Sequence, residues 1–377
     1  MQQAGPDGYS AFIPEPLPPV PSLDQRGDIH TALERASREL GRLDGITLLL
    51  PDPGLFLYTY VRKEAVLSSQ IEGTQSTLSD LLLFENEAVP GVPTEDVTEV
   101  SNYRAAMQHG LDRLTGGFPL SLRLIREIHA ILVRGTRGGD KTPGEFRKSQ
   151  NWIGGSRPGN AVFVPPPPHA MMQALGDLEK FLHSDDGIPV LLKAGLAHAQ
   201  FETIHPFLDG NGRVGRLLIT FLLCQGGILS QPLLYLSLYL KENRQQYYDT
   251  LQRVRTHGEW EEWLRFYLKG VAEVASQATV TARRLIELFE ADRLKIQKLG
   301  RAANTALLIH EALKRRAATT IGAVAKEVRV SFPTASANLQ RLEKLKIVRE
   351  ITGRSRDQIF LYDNYLQILN DGAATSS

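Results

Sequence analysis

The chain has 377 residues, 42% hydrophobic and 23% charged, so it is long enough for two or three domains that each bury a core. Its formal net charge of +1 argues neither for nor against a nucleic-acid partner. The single cysteine, Cys224, excludes an internal disulfide and reads as a small buried hydrophobe, which suits a reducing compartment. The first residues lack a basic stretch leading into an apolar one, and no apolar run reaches about 18 residues. A cytoplasmic protein without a membrane span is expected.

Pro14, Pro16, Pro18, Pro19 and Pro21 bar a helix from residues 1–25, which read as an extended arm over the fold or as partly disordered chain. Helical spacing starts near Asp28 (Ile29, Leu33, Leu40). It returns over 55–84, with Leu67, Ile71, Leu78 and Leu82 on one stripe. Gly73 is a natural stop inside that second segment. Glu72 then falls in a last helical turn, where the macrodipole disfavours an anion by roughly 0.3–1 kcal/mol and a cationic partner would be welcome. By itself such a residue reads as a solvated surface glutamate. Ser121 looks like the N-cap of a helix through Leu122, Ile125, Ile128 and Leu132 that ends at Gly135, with His129 on it as a structural residue. After Pro143-Gly144-Glu145-Phe146-Arg147 comes a predicted β-hairpin, with strands 149–153 and 161–164 around a glycine-rich turn. The four prolines that follow, Pro165 to Pro168, read as a stiff spacer in preference to an SH3-type ligand.

From there the pattern is helical over 171–183, 190–203, 213–225, 241–256 and 259–268, and 279–299 reads as a charged connecting helix. No repeat period is present, and strand signal is scarce. The final segment changes character. Helices over 304–316 and 320–328, a turn, and a helix from Pro333 to Leu345 precede two short apolar stretches, 347–351 and 358–362, around Gly353 and Arg354. That is winged-helix order. Basic residues outnumber acidic ones eleven to five between Glu311 and Asp357, and Thr334, Ser336, Gln340 and Arg341 are placed to meet bases.

Residues 204–216, Ile-His-Pro-Phe-Leu-Asp-Gly-Asn-Gly-Arg-Val-Gly-Arg, combine a titratable base, a carboxylate, three glycines, an amide and two arginines. A core has no use for that mixture. A site that holds phosphate beside a divalent cation does, because it needs oxygen ligands, backbone N–H donors and guanidinium forks. Pro206 ends the preceding helix at His205, and a buried helix starts at Arg213. Its first N–H groups therefore point at the Gly-Asn-Gly loop, with Arg213 and Arg216 on one face. Gly210, Gly212 and Gly215 match the dinucleotide pattern G-x-G-x-x-G, but a helix precedes them and no acid stands about twenty residues on. His198, Glu202, His205 and Asp209 have zinc-like spacing, which the helix break at Pro206 spoils. A P-loop motif is absent.

At this point residues 205–216 are seen to resemble the Fic (filamentation induced by cAMP) motif H-x-F-x-(D/E)-G-N-G-R-x-x-R at every fixed position, and Ser68 to Gly73 resembles the inhibitory motif (S/T)-x-x-x-E-(G/N) of the same family. The resemblance covers roughly residues 10–275. The last segment looks like the winged helix appended to many bacterial Fic proteins. It implies a mainly α fold: a Fic-type helical bundle with a small β-hairpin flap, plus a C-terminal winged helix-turn-helix. It also implies an enzyme that moves AMP from ATP to a Tyr, Thr or Ser hydroxyl of a protein.

On the same grounds His205 would be the general base, and Asp209 would hold Mg2+. Gly210, Asn211 and Gly212 would cradle phosphate through N–H groups, helped by the Asn211 amide. Arg213 would steady the α- and β-phosphates and Arg216 the γ-phosphate. Asn243 and Tyr248 would border adenine. The flap over 149–164 would hold the target by strand addition. Glu72, with Ser68, would be inhibitory, a bidentate Glu72–Arg216 pair taking the place of the γ-phosphate.

The expected domains are an N-terminal arm and inhibitory region (1–115), a catalytic core (116–275), a connecting helix (276–303) and the winged helix (304–377). Expected partners are ATP and a target protein; self-modification, a homodimer and DNA are compatible with the sequence, and a membrane is not expected. Competing readings are transfer of another phosphate-containing group, and a DNA-binding regulator.

Overall fold

The computed structural model describes residues 2–4, 9–23, 27–48, 53–75, 94–136, 138–354 and 357–371. The chain is mainly helical. Strand β2 (Ser10–Phe12) pairs antiparallel with β1 (Gln2–Ala4), and the Phe12 N–H donates to the Val164 carbonyl at 2.9 Å. The proline-rich segment after it stays extended, tied down where Gln200 Nε2 donates to the Glu15 carbonyl. Helix α1 (Asp28–Leu48) follows, then α2 (Pro53–Ile71). The apolar stripe expected out to residue 84 is seen only to Ile71; Leu78 and Leu82 lie outside the described residues.

Helices α3 (Thr94–Thr115) and α4 (Leu122–Leu132) pack on each other, and Ser121 caps α4 by accepting from the Leu124 N–H at 3.4 Å. The hairpin predicted after Arg147 is looser than expected. One bridge, Ile153 to Phe163, joins its legs instead of two regular strands. Two glycines at the tip, Gly154 and Gly155, take φ near +70°, which bends the ladder out of register.

Beyond the spacer lie α5 (Pro168–His183), α6 (Val190–Ile204) and α7 (Asn211–Gln225). Every residue of α6 from Leu191 to Ile204 is buried, and α7 is buried from Arg213 to Leu223, so this helix pair is the middle of the molecule. A helix apolar on all sides has to be wrapped by others. The helix predicted over 241–256 is broken at Asn243 into α8 (Ser237–Glu242) and α9 (Arg244–His257).

A single helix, α10 (Trp260–Gln297), replaces the two expected over 259–268 and 279–299. Gly270, in the gap between those two segments, is buried under the Tyr239 ring, where a Cβ would collide. No backbone break therefore marks the boundary placed at residues 275–276, and α1 packs along this helix. The last segment is α11 (Ala303–Arg316), β3 (Ala318–Thr320), α12 (Ile321–Glu327), α13 (Phe332–Lys344), β4 (Arg349–Glu350), β5 (Ile359–Leu361) and α14 (Asp363–Asp371). Its antiparallel sheet has the order β3-β5-β4, one strand more than the two-stranded wing expected. The tip residues Ser355 and Arg356 fall outside the described residues.

Candidate active site

Pro206 cannot extend α6, so the chain turns at His205, which caps the helix in the left-handed region at φ 49° and ψ 61°. A non-glycine residue there, just before a proline, is strained by roughly 1–3 kcal/mol and needs surroundings that over-determine it. They do. The His205 N–H donates to the Phe201 carbonyl at 2.9 Å, and the His205 carbonyl accepts from Arg147 Nε at 3.0 Å and Asn151 Nδ2 at 3.4 Å. Next along, the buried Phe207 ring stacks on His129 at 3.7 Å. His129 Nδ1 accepts from the Gly144 N–H, so its Nε2 carries the proton shared with the Asp209 carbonyl at 3.1 Å. Burial, with Arg213 nearby, lowers the His129 pKa to about 4, and the residue is structural as predicted.

Gly210, at φ 77°, caps α7. The first intrahelical bond runs from the Val214 N–H to the Gly210 carbonyl, so the N–H groups of Asn211, Gly212 and Arg213 precede the ladder and make an electropositive helix end. An anion already lies there. A Cβ on Gly212 would overlap the Glu72 carboxylate and come within 2.9 Å of Arg216 Nη1.

Arg216 is buried, and its Nη2 donates to Glu72 Oε1 at 2.7 Å and to the Ser68 carbonyl at 3.0 Å, while Nε donates to Ser68 Oγ at 2.8 Å. The expected bidentate pair is thus a shared one: the guanidinium divides itself between Glu72 and Ser68. Burial alone would raise the Glu72 pKa, but the Arg216 charge and hydrogen bond outweigh it, with smaller help from Arg213 and His205, and hold it below the usual range. Glu72 stands one residue past the end of α2, in a turn where Gly73 takes φ 106°.

His205 is partly exposed. Burial first, then the Arg255 and Arg147 charges, lower its pKa to about 4 against the opposing pull of Glu72 and the Glu202 carbonyl. At neutral pH the ring is unprotonated and can accept a proton.

Asp209 meets Lys141 Nζ and Arg213 Nη2, each at 3.2 Å. Burial would raise its pKa, yet Arg213 and Lys141 hold it below the usual range. The other arm of Arg213 meets buried Glu99 at 3.2 Å. The Asn211 amide exchanges two 2.8 Å bonds with the Phe207 backbone, so its side chain braces the loop and leaves only its N–H for a ligand. One ionised carboxylate beside a helix N-terminus fits Mg2+, which takes few protein ligands and completes its shell with phosphate oxygens and water. Among the described residues no three His, Cys, Asp or Glu side chains gather as a metal cage. His198, weighed above with a zinc spacing, is bonded to the Gly215 carbonyl and the Tyr247 hydroxyl.

Asn243 Nδ2 donates to the Tyr239 carbonyl at the α8–α9 break. Tyr247 is buried against His198 and Trp263, whereas Tyr248 is exposed and feels the charges of Glu72 and Arg216. Sequence reasoning missed several groups that hold this site together: Arg147, Arg255, Glu99, Lys141 and Glu64. Glu64 on α2 accepts from the Ser237 N–H at 3.1 Å, the Ser237 hydroxyl at 2.5 Å and the Tyr103 hydroxyl at 3.1 Å, and burial raises its pKa to about 7. No signal pointed to it. In the run Arg62-Lys63-Glu64 a buried acid looks like one more polar surface residue.

A helical bundle whose central helix presents arginines and free N–H groups to a glycine loop, closed by a carboxylate from a distant helix, defines a class of anion-binding fold. The chain belongs to the Fic/DOC family. The profile described as Fic/DOC family N-terminal matches residues 30–112, and that of the Fic/DOC family matches residues 119–223. A protein adenylyltransferase Fic of Drosophila grimshawi is 29% identical over 257 residues, covering 65% of this chain and 46% of that protein. A probable protein adenylyltransferase of Aquifex aeolicus (strain VF5) is 30% identical over 191 residues, covering 50% of this chain and 54% of that one. The chain thus spans about half the length of the curated relatives it matches. The crystal structure of a Fic family protein from Desulfovibrio desulfuricans G20 superposes with a TM-score of 0.59 at 19% identity, over 93% of this chain and 98% of that one, a likeness of fold. Among the described residues no helix is long and apolar enough to cross a membrane.

Proposed function

We propose that the protein transfers AMP from ATP to a Tyr, Thr or Ser hydroxyl of a protein, and that Glu72 restrains it. The observation that carries this reading is the Glu72 carboxylate resting on Arg216 and against Gly212, at a helix end whose N–H groups suit an anion. The relatives named as protein adenylyltransferases support it.

With Glu72 displaced, the part of Arg216 not held by Ser68 is open to the γ-phosphate, and the N–H groups of Asn211, Gly212 and Arg213 face the phosphate oxygens. Asn243 and Tyr248 border the adenine. His205 takes the proton of the incoming hydroxyl; the hydroxyl oxygen bonds the α-phosphorus, and the bond to the bridging oxygen breaks to release diphosphate. The anionic nucleotide beside His205 raises the basicity of a ring otherwise held near pKa 4. Arg213, anchored by Glu99, keeps the Asp209 carboxylate in place, where it would hold Mg2+. Mg2+ supplies charge neutralisation at the phosphate oxygens. The target backbone docks along the flap over 149–164, where the exposed Trp152 sits.

Wild type, Glu72→Gly and His205→Ala are incubated with ATP labelled at the α- or the γ-position. Protein-bound label from the α-position alone, strongest in Glu72→Gly and lost in His205→Ala, is the expected result. Label from γ would mean a phosphotransferase instead. A second reading, DNA binding through the last segment, is favoured by one observation: Thr334, Gln340 and Arg341 are exposed on α13, and Ser336 is half-buried there. A gel shift of the full chain that fades as salt rises supports it, and no shift at low salt removes it.

A further inference from the structure

Two arginines that belong to no motif, one buried and one half-buried, converge on the turn that carries His205. Arg147 is 2% exposed, and all four partners of its side chain are carbonyl oxygens. Nε donates to His205 at 3.0 Å, Nη1 to Ser149 at 3.1 Å, and Nη2 to Pro166 at 2.5 Å and Ile204 at 3.4 Å. Its own N–H donates to the Pro206 carbonyl at 2.9 Å. Ser149 opens the first leg of the flap, and Pro166 follows the second. Ile204 and His205 supply the last carbonyls of α6, where a helix leaves C=O groups unpaired and carries the negative end of its dipole. A cation with a planar fork is the group that suits that place.

Arg255 repeats the connection from α9. Its Nη2 donates to the Glu202 carbonyl at 3.2 Å and its Nε to Thr203 Oγ1 at 3.3 Å, both in the last turn of α6. Its guanidinium lies 4.0 Å from the centre of the Phe163 ring, on the second leg of the flap. We propose that Arg147 and Arg255 are positioning residues that fasten the flap to the last turn of α6, so that His205 and the flap edge are held as one body. The fastening stands on geometry alone; its use in catalysis rests on the AMP-transfer reading.

Fork and charge act separately here. Lysine keeps the charge at either position but offers a compact ammonium that neither spans several carbonyls nor stacks on a ring. The groups facing His205 are Arg255 from α9, Arg147 from the segment before the flap, Glu72 from the turn after α2 and the Glu202 carbonyl of α6. Removing a guanidinium should therefore raise the His205 pKa, and replacing it by lysine should not.

The test uses the full chain with Glu72→Gly as parent, and adds Arg147→Gln, Arg147→Lys, Arg255→Gln or Arg255→Lys. Hydrogen–deuterium exchange is followed over residues 149–164, where the Ile153 N–H donates to Phe163 and the Val162 N–H donates to Ile153. All four variants should exchange about tenfold faster there than the parent. With ring-labelled histidine, NMR should show the His205 pKa higher in each glutamine variant than in the Glu72→Gly parent and unmoved in the lysine ones, burial still holding it low in all of them. AMP transfer should lose kcat while KM for ATP holds, because neither arginine lies among the nucleotide contacts.

Unchanged flap exchange in folded Arg255→Gln overturns the proposal, and that variant decides alone if Arg147→Gln does not fold. If the parent transfers no AMP while exchange and titration respond as stated, the fastening stands and the enzymatic reading falls.

Discussion

Replacing Glu72 by Gly is the perturbation whose size can be worked out from the contacts. Arg216 Nη2 meets one carboxylate oxygen at 2.7 Å, with the guanidinium buried and the glutamate side chain 31% exposed. A hydrogen bond to a charged group is worth about 1.5–3 kcal/mol, and the partial exposure of Glu72 argues for the lower half of that span. On the proposed reading ATP has to displace this contact before Arg216 can reach phosphate, and its apparent affinity is then scaled down by the fraction of molecules in which Glu72 has left. At about 1.4 kcal/mol per factor of ten, the glycine variant should bind ATP with Mg2+ roughly ten- to fortyfold more tightly than the wild type. Isothermal titration calorimetry measures this directly. Glu72→Gln, which keeps the shape but makes a neutral bond, should fall between the two. An ATP affinity within twofold across all three proteins would refute the idea that Glu72 and the nucleotide compete for Arg216.

The same contact has a stated pH dependence. Because the Glu72 pKa is held below the usual carboxylate range, the ion pair is fully present above that range and is lost only as pH falls through the lowered value. The affinity ratio of Glu72→Gly to wild type should therefore be flat from about pH 5.5 to 8; a ratio that collapses toward 1 within that window contradicts the assigned pairing. Gly212→Ala added to Glu72→Gly should abolish most of the gained affinity, at least about tenfold, because a Cβ there fills the space an anion takes; calorimetry beside an unchanged melting curve is the check.

Glu64 gives the opposite sign. Its folded pKa is raised to about 7 from 4.5, so the folded state holds its proton longer and wild-type stability falls as pH rises between those values. Glu64→Gln should gain about 3 kcal/mol on the wild type in urea denaturation between pH 4.5 and 8, and a pH-independent difference would sink the assignment. Finally, α2 should keep its amide-exchange protection when ATP displaces Glu72. Glu64 on Ser237, the Tyr60 hydroxyl on the Ala278 carbonyl and Lys63 Nζ on the Leu369 carbonyl anchor that helix independently of Arg216. Deprotection across residues 60–71 would mean that the helix leaves with the glutamate.

How far the fold could be read depended on what each signal encodes. Period and caps encode helices, and the Ser121 cap, the Pro206 stop and the Gly73 turn all fall where those rules put them within a residue or so. A glycine in a helical pattern, such as Gly270, has two causes, a break or a close approach, and only the position of Tyr239 decides between them. Asn243 erred the other way. Nothing in the run Lys-Glu-Asn-Arg-Gln-Gln breaks a helix by propensity, and the kink at φ −109° and ψ 35° belongs to the packing of α8 and α9. The flap reads in sequence as two strands around a glycine-rich turn, whereas Gly154 and Gly155 at its tip leave a single bridge between the legs.

The site was legible where one short stretch holds the chemistry and illegible where recognition uses the backbone. Residues 205–216 carry base, carboxylate, loop and cations in a single run, so their joint purpose shows in the order of residues alone. Glu72 and Arg216 stand 144 residues apart; an acid at a helix end asks for a cation somewhere, but it was the resemblance to the Fic inhibitory motif that named Arg216. Arg147 and Arg255 sent no such request. An arginine paired with a carboxylate implies an acid to look for, but one held by carbonyls, as Arg147 is throughout and Arg255 is at Glu202, can be satisfied by any residue at those positions, since every residue has a carbonyl. Their role depends on where the chain brings Ser149, Pro166, Glu202 and His205 together, and that is a property of the fold. The strained His205 turn makes the same point from the other side: a proline after a left-handed residue reads in sequence as a simple helix stop, yet holding it takes a buried cation from the segment just before the flap.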